Sequence, residues 1–232
     1  MPLKIDRYSD FILNNISFSL QQGEDLIILG SNGVGKTTLA KVLCGITASS
    51  AVSVDGIHPS KVYGEKRARL INYIPPKLDV FDAFISVRAF LELGCFNPNL
   101  SVDEALEKLH ITQLQDKACH TLSSGESQLL LIASALLQDA SYTIFDEPTA
   151  NLDPKKMQTL FRLLKEEMPK QSKIIITHNL DLAYKLGFDV LFMEDGCIKY
   201  HGTSKDFFEQ SHLDTLYDGS VLKQANNIVV KL

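Results

Sequence analysis

The chain has 232 residues, 45% of them hydrophobic and 22% charged, so it can bury a sizeable core as one large domain or two small ones. Its formal net charge of -5 argues against a nucleic-acid footprint, and no apolar run approaches the roughly 20 residues that span a bilayer. The segment Met1–Arg7 has no apolar signal region, and the scattered cysteines Cys44, Cys95, Cys119 and Cys197 lack metal-ligand spacing, which reads as reduced thiols in a cytosolic protein.

In chain order, residues 3–7 and 12–20 read as strands, the second on the alternation of Ile16, Phe18 and Leu20 with Ser17 and Ser19. A turn at Gln21–Glu24 leads into a buried strand over 25–29, and a helix runs from Thr37 to its stop at Gly45. A short strand at 51–54 ends in the hairpin-type turn Asp55-Gly56, and a strand over Ile71–Ile74 ends at Pro75-Pro76. Ser86, Ser101 and Ser123 each open a helix as an N-cap. Buried strands over 142–146 and 173–177 flank a charged amphipathic helix from Pro154 to Met168. A helix over 179–186, strands near 189–194 and 197–201, and a short helix from Ser204 complete the pattern. Strands alternating with helices predict an α/β fold with a mainly parallel sheet, an antiparallel β layer from the first strands, and a helical subdomain at about 77–135 inserted in a single domain over 1–232.

The chemistry starts at Ile27–Thr38, an apolar strand, a glycine-rich turn and Lys-Thr-Thr at a helix start. This fits G-x-x-x-x-G-K-[ST], the P-loop. Gly30, Gly33 and Gly35 let successive backbone N–H groups converge on one anion, and the helix dipole points at the same place. Ser31, Asn32 and Val34 complete the loop, Lys36 reaches the β/γ-phosphates, Thr37 can ligate Mg²⁺, and Thr38 extends the first turn. Downstream, the apolar run Tyr142–Phe145 ends in Asp146 and Glu147. Beside a P-loop these read as a Mg²⁺-binding carboxylate and a general base that polarises the attacking water. His178 follows the buried strand Lys173–Thr177 at the end where open α/β sheets place ligands, and its imidazole can donate to a γ-phosphate oxygen.

Leu122-Ser123-Ser124-Gly125-Glu126-Ser127-Gln128 precedes a long apolar helix and makes a second helix N-terminus suited to an anion. With this stretch the chain resembles the ATP-binding cassette (ABC) ATPases. Their signature L-S-G-G-Q/E matches Leu122–Glu126 with Ser124 for the first glycine. The order of P-loop, signature, acids at Asp146-Glu147, D-loop at Ala150-Asn151-Leu152-Asp153 and switch histidine at His178 is also theirs. The resemblance implies adenine stacking on Tyr8, with Phe11 as a substitute, and adds Asp153 to the nucleotide-binding set. It implies a head-to-tail homodimer in which ATP held at Lys36 of one copy is closed over by Ser123 and Gly125 of the other, with hydrolysis reopening it. One departure is that Pro76 stands where the family places a Mg²⁺-ligating glutamine, so a water must take that coordination place.

A transport role requires a separate permease. Phe81, Phe84, Ile85, Val87, Phe90 and Leu91 supply apolar surface from which a few exposed side chains would receive a permease helix. Arg67–Pro75, Ile85–Gly94 and Leu213–Asp218 look like the ATPases of importers for iron–siderophore, haem and cobalamin. That likeness implies two such subunits, two permeases and an external binding protein at the cytoplasmic face of the inner membrane. Two other classes use the same core: ATPases of other importers or exporters, and non-transport cassette ATPases such as iron–sulfur cluster assembly factors.

Overall fold

The segments 26–30, 142–146 and 172–176, which become the middle of the central sheet, are buried at every position, as parallel strands covered on both faces require. In the computed structural model, which describes residues 1–150, 152–168, 171–225 and 227–231, the elements follow in chain order. They are β1 (Pro2–Tyr8), β2 (Ile16–Gln21), β3 (Leu26–Gly30), α1 (Lys36–Leu43), β4 (Val52–Val54), α2 (Gly64–Leu70), β5 (Ile71–Ile74), α3 (Val87–Leu93), α4 (Val102–Lys108) and α5 (Ser124–Gln138). The second half gives β6 (Tyr142–Asp146), α6 (Pro154–Arg162), β7 (Ser172–Ile176), α7 (Leu180–Leu186), β8 (Asp189–Glu194), β9 (Cys197–Gly202), α8 (Ser204–Phe207), α9 (Gln210–Leu216), β10 (Val221–Gln224) and β11 (Asn227–Val230).

The central sheet has the order β5-β6-β7-β3-β8-β9 and is parallel except for the β8–β9 pair. Strands β2, β1 and β4 form the antiparallel layer. Because strand side chains alternate, β3 feeds two cores. Ile27 and Leu29 face α5 together with Phe145 and Ile175, whereas Leu26 and Ile28 face α1 and the antiparallel layer with Ile144 and Ile174. Tyr142 joins the two sheets: its hydroxyl accepts from Leu3 N at 3.1 Å and lies 2.9 Å from Leu20 O. Apolar residues of α3 and α4, among them Val87, Leu91 and Leu106, pack into the first core beside α5.

Local chemistry sets several boundaries differently from the sequence expectation. The strand expected over 12–20 starts only at Ile16, because Asp10 Oδ1 accepts from the N–H groups of Ile12 and Leu13 at 2.8 and 2.7 Å and folds 10–13 into a turn. Asp55 and Gly56 take left-handed angles (φ 51° and 78°), yet their turn closes a single bridge, Val54↔Ile57, and β4 pairs with β1 instead. The helix expected to Met168 is α-helical only to Arg162 and continues as a π-turn over Leu163–Glu167. Helices α2 and α9 and the β10–β11 hairpin were not expected. The four cysteines are free, and among the described residues no helix is long and apolar enough to cross a membrane.

Candidate active site

The C-terminal ends of the adjacent strands β3, β7 and β6 place the P-loop, His178 and the Asp146-Glu147 pair on one edge of the sheet. At the end of β3, Gly30 has φ +147°, and a Cβ there would lie 2.4 Å from Met193 O. Gly35, at φ +101°, opens α1, and a Cβ there would lie 2.6 Å from Leu13 Cδ2 and 2.8 Å from Ile12 Cγ2. Glycine is therefore required twice over, for the backbone angle and for the close approach of the 10–13 turn.

Lys36 is 7% exposed, and its ammonium donates to Gly30 O and Ser31 O, both at 2.8 Å. Burial pulls its pKa down, and the nearby Glu147 and Asp146 carboxylates partly offset that. A cation held back by two carbonyls inside the loop is poised for a polyanion. Asp146 is 2% exposed, and its Oδ2 accepts two hydroxyls, from Thr37 at 2.8 Å and from Tyr73 at 2.9 Å. Glu147 is a left-handed residue (φ 49°) whose N–H donates to Ile176 O at 2.9 Å. This break in the strand explains how two consecutive carboxylates line one cleft, together with Asn32, Lys36, Thr37 and Thr38. Glu147 Oε1 lies 2.9 Å from Nδ1 of the largely exposed His178, and Thr177 Oγ1 donates weakly to Oε2 at 3.4 Å. Asn179 caps α7 immediately after this histidine.

Other expected site residues lie elsewhere. Val34 packs on the second core. Ser123 is the N-cap of α5 in a capping box: its Oγ accepts from Glu126 N at 3.3 Å, while Glu126 Oε2 accepts from Ser123 N at 2.8 Å. The backbone bond from Ser123 holds the Glu126 carboxyl below its ordinary range, aided by Lys117. Ser123 is exposed, Gly125 is buried, and neither lines the P-loop cleft of its own chain. Tyr8 is half-buried and donates its hydroxyl to Asp10 Oδ2 at 3.0 Å, whereas Phe11 is fully exposed. Asp153 caps α6 by accepting from Lys156 N at 2.9 Å, and the D-loop's Asn151 lies outside the described residues. Pro76 lines a neighbouring cleft together with Thr37 and Tyr73.

The sequence reading missed Ile12, which lines the P-loop cleft, and Tyr73, which bonds Asp146. Asp10, with its preference for a turn over the next residues, was the available signal for Ile12. Nothing local announces Tyr73, since its contact depends on the β5–β6 pairing.

A hard divalent cation needs oxygen donors. The Asp146 carboxylate and the Thr37 hydroxyl supply them, and Thr37 gives its hydrogen to Asp146, which leaves its lone pairs for the ion. The residues present fit Mg²⁺.

Comparison with known proteins gives four concordant findings. The family model described as "ABC transporter" matches residues 13–150. A protein of Pyrococcus horikoshii named as an ABC transporter ATP-binding protein is 33% identical over 210 residues, which cover 85% of this chain and 80% of that one. The zinc import ATP-binding protein ZnuC of Wigglesworthia glossinidia brevipalpis is 34% identical over 198 residues, covering 84% and 81%. Among solved structures, cbiO1 of Clostridium perfringens, part of the ABC transporter complex cbiONQ, superposes with a TM-score of 0.72 at 29% identity over 92% of each chain.

Proposed function

The chain belongs to the ABC transporter family as an ATP-binding subunit and ATPase, and from that premise we propose that it drives a separate membrane permease, importing a metal chelate such as iron–siderophore or haem, or a related metal species. The observation that carries the ATPase site is the convergence of Lys36, Thr37, Asp146 and Glu147 on one cleft. The zinc-import name of one relative supports a metal cargo, and the likeness of Arg67–Pro75 and Ile85–Gly94 to chelate importers supports the chelate reading.

In this mechanism the P-loop backbone and Lys36 bind the β- and γ-phosphates. Lys36 exchanges its two carbonyl partners for phosphate oxygens, and the stronger charge-assisted bonds drive the exchange. Thr37 and Asp146 would hold Mg²⁺, which when bound would supply neutralisation of the phosphate charge. Glu147 accepts a proton from water as the water oxygen bonds to the γ-phosphorus and the bond to the ADP oxygen breaks. His178 orients Glu147 through the 2.9 Å contact and is placed to meet a γ-phosphate oxygen. Pro76, in the family's glutamine position, would offer that metal no side-chain oxygen.

Ser123 and Gly125 lie outside the P-loop cleft of their own chain, which is what a site completed by a second copy requires. Tyr8 or Phe11 stacks on the adenine, and Asp153 adjoins the closed nucleotide. The subunit sits at the cytoplasmic face of the inner membrane through its permease, and an external binding protein delivers the cargo. The helical subdomain at about 77–135 carries the permease contact. The direct test is purification from detergent extract: a membrane permease is expected to accompany the chain, and recovery of soluble partners alone would overturn the transport reading. In parallel, Glu147→Gln is expected to cut hydrolysis by about two to four orders of magnitude while ATP binding persists. Parental turnover in that variant would remove Glu147 from the base role.

A further inference from the structure

Strand β5 lies beside β6 in parallel register, with Tyr73 opposite Ile144, two residues before Asp146. Ile144 and Asp146 share a face, because side chains two apart on a strand do. The distance to bridge is therefore one two-residue step, about 6.6 Å along the strand. A serine or threonine hydroxyl at position 73 stops near Cβ and falls short of that step. A phenol spans it, and the Tyr73 hydroxyl does reach Asp146 Oδ2, at 2.9 Å. The same oxygen accepts from Thr37 at 2.8 Å, whereas Oδ1 receives no hydrogen bond among the described residues. The two donors come from different elements, β5 and α1, and together they fix one oxygen of a carboxylate that is 2% exposed.

We propose that Tyr73 is a positioning residue for the metal site: its hydroxyl locks the Asp146 carboxylate by one oxygen, so that the other is held ready for the cation. This rests on the reading of Asp146 and Thr37 as the Mg²⁺-binding pair. Thr37 has two tasks in that reading, donation to Asp146 and ligation of the ion, so the orientation of the carboxylate cannot rest on it alone. Tyr73 has a single task and is anchored on the next strand. Because proline at residue 76 offers no side-chain oxygen, fewer side chains would be available to the ion, and a fixed carboxylate would count for more.

The test uses the full chain and a fluorescent ATP analogue. Binding is measured first in EDTA and then as Mg²⁺ is added, for the parent, Tyr73→Phe and Asp146→Asn. Tyr73→Phe keeps the ring and removes only the hydroxyl. The expected result is binding in EDTA within twofold of the parent, with the Mg²⁺ concentration for half-maximal effect raised about tenfold, as loss of one bond to a charged acceptor implies. The hydrolysis rate at saturating Mg²⁺ should return towards the parental value. Asp146→Asn should lose most of the Mg²⁺ dependence. An unchanged Mg²⁺ midpoint in Tyr73→Phe, with the dependence lost in Asp146→Asn, would overturn the proposal and leave the metal reading standing. Parental behaviour in both variants would overturn the metal reading and the proposal with it. An equal loss of binding in EDTA would show that the hydroxyl serves packing only, which also overturns it.

Discussion

Single residues in this protein are constrained by backbone angle and by charge at the same few positions. Gly35 combines φ +101° with side chains of Leu13 and Ile12 less than 3 Å from where a Cβ would stand. Gly35→Ala is therefore expected to cost about 2 kcal/mol or more, from the strained angle and the overpacked turn together. ATP binding should weaken in the same variant, because the turn and the loop must both shift; urea unfolding and nucleotide titration measure the two losses. Gly23 also has a positive φ, but a Cβ there would meet nothing within 4 Å, so Gly23→Ala should leave ATP binding intact. Charge is handled with similar economy. Lys36 is held by carbonyl oxygens of its own loop and makes no ion pair among the described residues. Its lowered pKa follows from burial and will be reversed by any bound phosphate.

At the scale of elements, serine caps decide where the helices begin. Ser86, Ser101 and Ser123 each accept the backbone N–H of the third residue of their helices, and the last two form full capping boxes. Ser123→Ala should lower stability by about 1 kcal/mol. Its Glu126 partner makes that cap pH-dependent. The folded-state pKa of Glu126 lies below its ordinary value of 4.5, so its contribution is present above that value and fades as pH falls through the folded pKa. Amide protection factors at the start of α5 should therefore fall in acid before those of the rest of the helix. These caps were legible because they are local: a serine, an acid three residues on and an apolar run suffice. The buried parallel strands were legible from their apolar runs, and the nucleotide cleft from its contiguous loop and acids. Helix α2 was not, since Gly64–Leu70 carries two basic residues in its last turn and buries only Leu70, which leaves no apolar stripe to read. The π-turn after Arg162 and the early end of the strand expected at 12–20 depend on packing and on an Asp10 turn, and periodicity sees neither. Tyr73 belongs to the same class, because its partner is 73 positions away.

At the scale of the whole molecule, no residue of the signature stretch Leu122–Glu126 lines the P-loop cleft of its own chain, and in the proposed dimer a second copy would supply it. Closure by a second copy, as proposed, would couple nucleotide binding to association and give the surface around α3 a motion to transmit. Of the apolar residues expected to meet a permease, Val87 and Leu91 are buried, Ile85 and Phe90 are half-buried, and Phe81 and Phe84 are 103% and 89% exposed. Phe81→Ser with Phe84→Ser should therefore leave the isolated subunit folded and active in hydrolysis while recovery of the permease in pull-down falls at least tenfold.

The central claim is that two copies complete each other's nucleotide site. Its most direct measurement is the mass of the Glu147→Gln variant by light scattering with MgATP, with ADP and with no nucleotide. A twofold rise in mass with MgATP alone, abolished by adding Ser123→Arg, is the predicted result. A monomer at every concentration, with MgATP present and the permease supplied, would contradict the account.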